Sequence, residues 1–371
     1  MKAYFDVGAD NEAARHLSLR PVASNHRASR NPAGMSWHPI TMPKIVRFHH
    51  TGPAEVLQIE DMPLEQPKKN EVRLKVEAIG LNRAEVMFRT GAYLESPNFP
   101  ARLGYEAAGV IDAVGPGVTA VKVGDRVSTI PSFSMNSYGV YGETAIVPVH
   151  AVARYPDNLS PVEGTSIWMQ YLTAWGGVIH YGKPGPGEHV LITAASSSVG
   201  LAAIELTKLA GAHPIAVTRT SAKKQALLDF GAAKVIASAE EDLPAVVRQL
   251  TNEKGVELIF DPIAGKFVET LAQCAARGAQ IIEYGALSYE PTPFPLFLAL
   301  EKGLSVRGYT LFEITTNSDL RVRAERYVYQ QLEQGKLRPK IDRTFPLSNI
   351  AEAHRYMESN QQNGKIVVTV P

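Results

Sequence analysis

From Lys44 the chain runs in short stretches rich in β-branched and aromatic residues, broken at intervals by glycine and proline. Residues 45–48, 56–59, 72–79, 109–114, 126–130 and 144–148 read as strands, with Gly52-Pro53, Gly115-Pro116-Gly117 and Gly124-Asp125 as turns. Many short strands at such spacing predict a small β-barrel. After about residue 160 the period changes. A helical pattern over 161–180 leads to 189–194, an almost wholly apolar run that suits a strand buried on both faces. Helices over 199–210, 221–230, 242–251 and 266–276 then alternate with strands over 214–218, 234–237, 256–261 and 279–285. This alternation predicts a doubly wound parallel sheet. Beyond it lie an apolar run at 304–311, a helix over 320–334 and a last strand at 365–370, expected to return to the first domain.

Composition narrows the function class. A length of 371 residues suits two domains, and 45% hydrophobic with 20% charged residues is the make-up of a globular protein with sizeable cores. Lys+Arg 38 against Asp+Glu 37 leaves a net charge of +1, so a nucleic-acid or membrane-surface role has no electrostatic footprint. Glu205 and Lys208 interrupt the most apolar helical segment, and no apolar run reaches the roughly 20 residues that span a bilayer. Cys274 is the single cysteine, which removes an intramolecular disulfide and any zinc site built on two thiolates. A reducing, cytoplasmic setting is expected. Residues 1–42 lack an apolar signal core and mix Asp6, Asp10 and Glu12 among arginines. They are expected to be an extension, disordered or preceding the true start, with Met35 and Met42 as alternative starts.

The chemistry concentrates at Val190-Leu-Ile-Thr-Ala-Ala-Ser-Ser-Ser-Val-Gly200, where a strand passes through small residues into a helix. Ser197, Ser198, Val199 and Gly200 let the backbone approach a pyrophosphate, whose charge the helix N-terminus and its free amides balance. Only Gly200 stands where a glycine-rich fingerprint would have three glycines, so a tight turn without a ligand is the alternative. The next strand ends at Thr218 with no acid to hold the ribose hydroxyls of NAD. Arg219, Lys223 and Lys224 follow instead, cations that suit a 2′-phosphate and favour NADPH, or else form a solvated helix start.

Four further segments stand in order along the chain: Gly80-Leu-Asn-Arg-Ala-Glu-Val-Met-Phe-Arg-Thr-Gly-Ala-Tyr93, Leu103-Gly-Tyr-Glu-Ala-Ala-Gly-Val-Ile-Asp-Ala-Val-Gly115, Val123-Gly-Asp-Arg-Val127 and Gln170-Tyr-Leu-Thr-Ala174. Together they resemble the medium-chain dehydrogenase/reductase superfamily, in its zinc-independent, zeta-crystallin-like quinone oxidoreductase branch, from Lys44 to Val370. The resemblance implies an α/β chain in which a GroES-like β-barrel catalytic domain, 43–165 with 310–371, is interrupted by a Rossmann NADPH-binding domain, 166–309, with the active site in the cleft between them. It implies hydride transfer from NADPH to a quinone or an α,β-unsaturated carbonyl compound. Zinc-dependent relatives carry a cysteine near residues 81–84 and a His-Glu pair where Tyr105-Glu106 stand here, so the resemblance implies no metal.

By the same resemblance Asn82 lies near the nicotinamide and ribose, and Tyr93 lines the cleft as proton donor or wall. Thr173 reaches the cofactor, Lys223 contacts the 2′-phosphate, and Gly285 lies beside the nicotinamide. Ser197 and Ser198 in place of glycines, and Ser238 where relatives carry a tyrosine, are departures that would weaken cofactor binding. The segment 306–311 resembles the family's subunit-pairing strand and implies a homodimer. An enoyl thioester reductase and a non-catalytic NADPH-binding sensor are the rival readings.

Overall fold

The computed structural model describes residues 42–371, and the expected extension over 1–41 lies outside them. Strands β1 (Lys44–Arg47), β2 (Gln58–Asp61), β3 (Glu71–Gly80), β4 (Glu106–Val114), β5 (Arg126–Thr129), β6 (Thr144–Pro148) and β7 (Val152–Ala153) form the first half. β3 is the spine, antiparallel to both β4 and β6. Its Val72, Leu74 and Val76 alternate into a core shared with Ile111, Val127 and Val147, as the two-residue period of a half-buried strand requires.

The second half is a parallel sheet of β8 (His189–Ile192), β9 (His213–Thr218), β10 (Lys234–Ala237), β11 (Val256–Asp261), β12 (Ala275–Glu283) and β13 (Ser305–Gly308), in the spatial order β10-β9-β8-β11-β12-β13. Phe260 and Ile282 face one hydrophobic layer, while Ile259 and Ile281 face another. The strands are therefore covered on both sides. Strand order reverses between β8 and β11, and ligands of open α/β sheets bind at such a switch point, over the carboxyl ends of the strands.

The final strands β14 (Ile341–Pro346) and β15 (Lys365–Thr369) return to the first sheet, β15 lying antiparallel to β3. Between them the helix Ile350–Glu358 packs Ile350, Ala353 and Met357 into the barrel core. The helix Ser318–Glu333, which the sequence groups with 310–371, places Ala324, Val328 and Leu332 in the parallel-sheet core instead, because their four-residue spacing makes one apolar face. The helical pattern over 161–180 divides into Pro161–Gly164, Trp168–Ala174 and a π-helical stretch Trp175–Gly182. Gly176 and Gly177 let that stretch touch the sheet domain: a Cβ would lie 2.0 Å from the Tyr309 hydroxyl at the first and 2.2 Å from Phe260 at the second. Among the described residues no helix is long and apolar enough to cross a membrane.

Candidate active site

The turn after β8 is tight without being glycine-rich, since Ala194 itself adopts the left-handed conformation at φ 43. Ser197 caps the following helix Ser198–Leu209, its hydroxyl accepting from the Gly200 N–H at 3.0 Å. At Gly200 any Cβ would lie 2.7 Å from the Ala195 backbone, so the third glycine of the fingerprint survives for a packing reason. Beyond β9, Thr218 is buried, Arg219 is exposed, and Lys223 reaches back to the turn. Its ammonium donates to the Ser196 hydroxyl at 3.1 Å and to the carbonyls of Asn360 at 3.0 Å and Gln362 at 2.7 Å. Gly364 N–H adds a bond to the Ser196 carbonyl at 3.0 Å. The segment 360–364 of the barrel domain thus lies against the phosphate-type turn of the other domain.

The next residue along, Lys365, enters a second cluster. Asn82 caps the helix Arg83–Thr90 and is buried. Its Oδ1 accepts from Lys365 Nζ at 2.6 Å, while its Nδ2 donates to Glu106 Oε2 and to Glu85 Oε1, both at 3.2 Å. Since an ammonium can only donate, the lysine decides which end of the amide faces it. Lys365 also pairs with Glu106 at 2.5 Å, both side chains essentially without exposure. Gly80 makes the room, because a Cβ there would come within 2.9 Å of Lys365 Cε. Glu85, fully buried, is pushed up to about 7 by desolvation, partly offset by Lys365 and the Asn82 hydrogen bond. Glu106 Oε1 accepts from the Met169 N–H at 2.8 Å, and the Thr173 hydroxyl bonds the Met169 carbonyl at 2.5 Å. Asn82 and Thr173, from different domains, are thereby held through neighbouring groups.

Tyr93 closes this side. Its ring meets Phe88 edge-on at 6.4 Å and lies 6.4 Å from Tyr105, which in turn packs against Phe133 at 5.6 Å and Phe312 at 5.9 Å. Burial pushes the pKa of both phenols well above the ordinary tyrosine range, so both stay protonated. The resulting wall is aromatic and carries hydroxyls. On the sheet side, Gly285 follows Tyr284, which stacks on Phe260 at 4.0 Å with its hydroxyl toward Ser197. Beneath it Asp261 and Glu283 are register partners on β11 and β12. Asp261 accepts from the Thr193 hydroxyl and from the N–H groups of Ile263 at 3.0 Å and Ala264 at 2.7 Å. Glu283 receives no hydrogen bond among the described residues, and burial beside Asp261 pushes it up to about 9.

The segment 360–365 thus joins two groups, Lys223 with the Ser196 turn on one side and Asn82, Glu106 and Thr173 on the other. Sequence reading missed Glu85, Lys365 and the Asp261–Glu283 pair. Glu106, read as having lost its partner, has one in Lys365. The lone Cys274 is buried, its thiol pushed up to about 12, an unreactive setting.

Comparison with known proteins bears on the family and the fold. The alcohol dehydrogenase GroES-like domain family matches residues 68–157, and the zinc-binding dehydrogenase family residues 198–324. Human quinone oxidoreductase is 31% identical over 328 residues, covering 88% of this chain and 97% of that protein. The chain belongs to the quinone oxidoreductase branch of the medium-chain dehydrogenase/reductase superfamily. As a quinone oxidoreductase relative it is an oxidoreductase by family. The crystal structure of Escherichia coli quinone oxidoreductase complexed with NADPH superposes with a TM-score of 0.82 at 28% identity, over 88% of this chain and 99% of that one. The CurK enoyl reductase structure gives 0.80 at 26% identity, over 89% and 100%.

Proposed function

We propose that this protein is a metal-independent, NADPH-dependent reductase that passes hydride to quinones or α,β-unsaturated carbonyl compounds. The observation that carries the reading is the Lys223 ammonium beside the Ser196 hydroxyl, with Arg219 near and no acid at the end of β9. A 2′-phosphate is recognised by such donors, whereas a free ribose diol is recognised by a carboxylate. The residues suit a dinucleotide: Ser197, Ser198, Val199 and Gly200 would hold its pyrophosphate, Thr173 and Gly285 its nicotinamide half, and Thr218, Arg219 and Lys223 its adenosine phosphate. Bound in reduced form, it would supply the hydride. Asn82 and Tyr93 would orient the acceptor and hold hydrogen bonds to the oxygen on which charge develops.

Zinc, named by one matched family, does not fit these residues. An amide and a phenol, Asn82 and Tyr105, stand at the expected ligand positions, and the Lys365 ammonium already neutralises Glu106. Two cations would have to share one carboxylate.

Purified, chelator-treated protein is expected to oxidise NADPH in the presence of one quinone or one conjugated enone, and NADH more slowly. Lys223→Ala should raise the Kd for NADPH about tenfold to a hundredfold, the worth of one charge-assisted bond, and leave NADH unchanged. Equal losses with both cofactors would overturn the phosphate assignment. NADPH binding without turnover would favour the sensor reading. Turnover confined to thioesters would favour the enoyl reductase reading that the CurK likeness supports.

The acceptor is expected to be a small molecule, and a second copy of the chain is the proposed partner. β13 ends the sheet, and near it Phe297 is 85% and Leu300 71% exposed. An open edge beside apolar side chains favours pairing with its own copy. Light scattering should give twice the chain mass, and a monomer mass would remove the dimer.

A further inference from the structure

Tyr105 stands out as a polar side chain without an assigned task. Its ring is wholly buried among Phe133, Phe312 and Tyr93, and its hydroxyl has no hydrogen-bond partner at bonding distance among the described residues. A buried unmade hydroxyl bond is costly, so a phenol kept there in place of phenylalanine calls for a reason. The nearby carboxylates do not supply it. Glu85 already accepts from the Asn82 N–H and side chain and from the Tyr105 N–H. Glu95 accepts from the Ser134 hydroxyl, the Met135 N–H and the Asn136 side chain. What remains for the Tyr105 proton is the oxygen of Tyr93, whose ring packs against that of Tyr105 at 6.4 Å and whose hydroxyl lies beyond bonding distance.

We infer that Tyr105 is a positioning residue for the acceptor site: with the acceptor bound the two phenols close, and Tyr105 donates to the Tyr93 oxygen, so that the Tyr93 proton is directed to the acceptor's carbonyl oxygen. This rests on the reductase reading above. When hydride adds two electrons to the acceptor carbon, the electron pair of the adjoining π-bond moves to that oxygen, which becomes an enolate or hydroquinone anion and later takes a proton. A phenol that is itself hydrogen-bonded through its oxygen is a stronger donor to that anion, because chained hydrogen bonds polarise one another. The acceptor class follows from the surroundings. A planar, apolar ring or conjugated chain with one carbonyl oxygen fits an aromatic wall whose outward polar group is the Tyr93 hydroxyl.

The test uses 4-nitrophenol, a planar phenol whose ionised form absorbs visibly and mimics the anion without any redox step. With full-length protein, the bound probe should be more ionised than the free probe at the same pH. Tyr105→Phe should weaken binding of the ionised probe about tenfold, one charge-assisted hydrogen bond, while thermal stability stays equal or rises. In a Tyr93→Phe background the same substitution should change nothing, because Tyr105 acts through Tyr93. With a reducible acceptor, Tyr105→Phe should lower kcat and leave KM nearly unchanged. The inference is overturned if the probe does not bind the parent protein in ionised form, if Tyr105→Phe binds it equally, or if the loss persists without Tyr93. Should the probe behave as expected while no quinone or enone is reduced, the reductase reading has failed and the phenol pair stands.

Discussion

Replacing Lys365 with methionine is expected to destabilise the protein by about 3–5 kcal/mol, the cost of leaving a buried charge unpaired. The ammonium and Glu106 are essentially without exposure and 2.5 Å apart. Methionine fills much of the same volume, so the loss is electrostatic rather than a cavity. Glu106 would retain the Asn82 and Met169 donors, but no cation. Lys365 is also among the causes that hold Glu85 down, so both carboxyls lose their counter-charge together. Urea unfolding of the single variant measures the effect. The Lys365→Met/Glu106→Gln double variant should recover most of the stability, since a neutral amide needs no cation. A single variant within about 1 kcal/mol of the parent protein, or a double variant that is worse than the single, would refute the pairing. The same substitution frees the Asn82 amide to turn, which on the proposed function should weaken acceptor reduction even where the fold survives.

Glu283→Gln is expected to stabilise the protein at alkaline pH, increasingly as pH rises. Burial beside Asp261 raises the Glu283 carboxyl from the ordinary 4.5 to about 9. The folded protein therefore keeps a proton that the unfolded chain has lost over this window. A group raised on folding contributes stability that is complete below the lower value and is lost as pH climbs through the upper one. Glutamine keeps the shape of the protonated side chain and carries nothing that ionises. The two proteins should be nearly equal near the lower limit and diverge above it, by up to the order of 1 kcal/mol per pH unit. Glu85, Glu205 and Glu325 are each pushed up to about 7 and are common to both proteins. The interval above them isolates Glu283. Urea unfolding at several pH values up to about 9 decides the matter, and parallel stability curves would refute the raised Glu283 carboxyl.

How much of this was legible in the chain depends on the distance between cause and effect. Strands 234–237 and 256–261 were read with the bounds the structure has, because apolar residues covered on both faces declare themselves within a few positions. Asn82 and Thr173 were singled out by the family resemblance and Ser197–Gly200 by the strand-turn-helix pattern, and the structure links the first two through Glu106 and Met169 and sets the last at the turn after β8. The single helix expected over 161–180 is broken at 165–167 and turns π-helical from 175, where Gly176 and Gly177 leave room for Tyr309 and Phe260, residues far along the chain. Helix 318–333 was assigned by its neighbours in sequence, while its apolar face packs into the parallel-sheet core.

The chain alone determined the two-part architecture, the order of its elements, the turn suited to phosphate and the cations past β9, since periodicity and turn chemistry belong to neighbouring residues. Only the tertiary structure decided that Lys365 meets Glu106 across 259 positions, that Lys223 grips the carbonyls at 360 and 362, and that Glu283 lies beside Asp261. Pairing of charges depends on proximity in space and on exclusion of water, and neither quantity exists until each sheet has assembled around its core and, for Lys223, until the two domains meet.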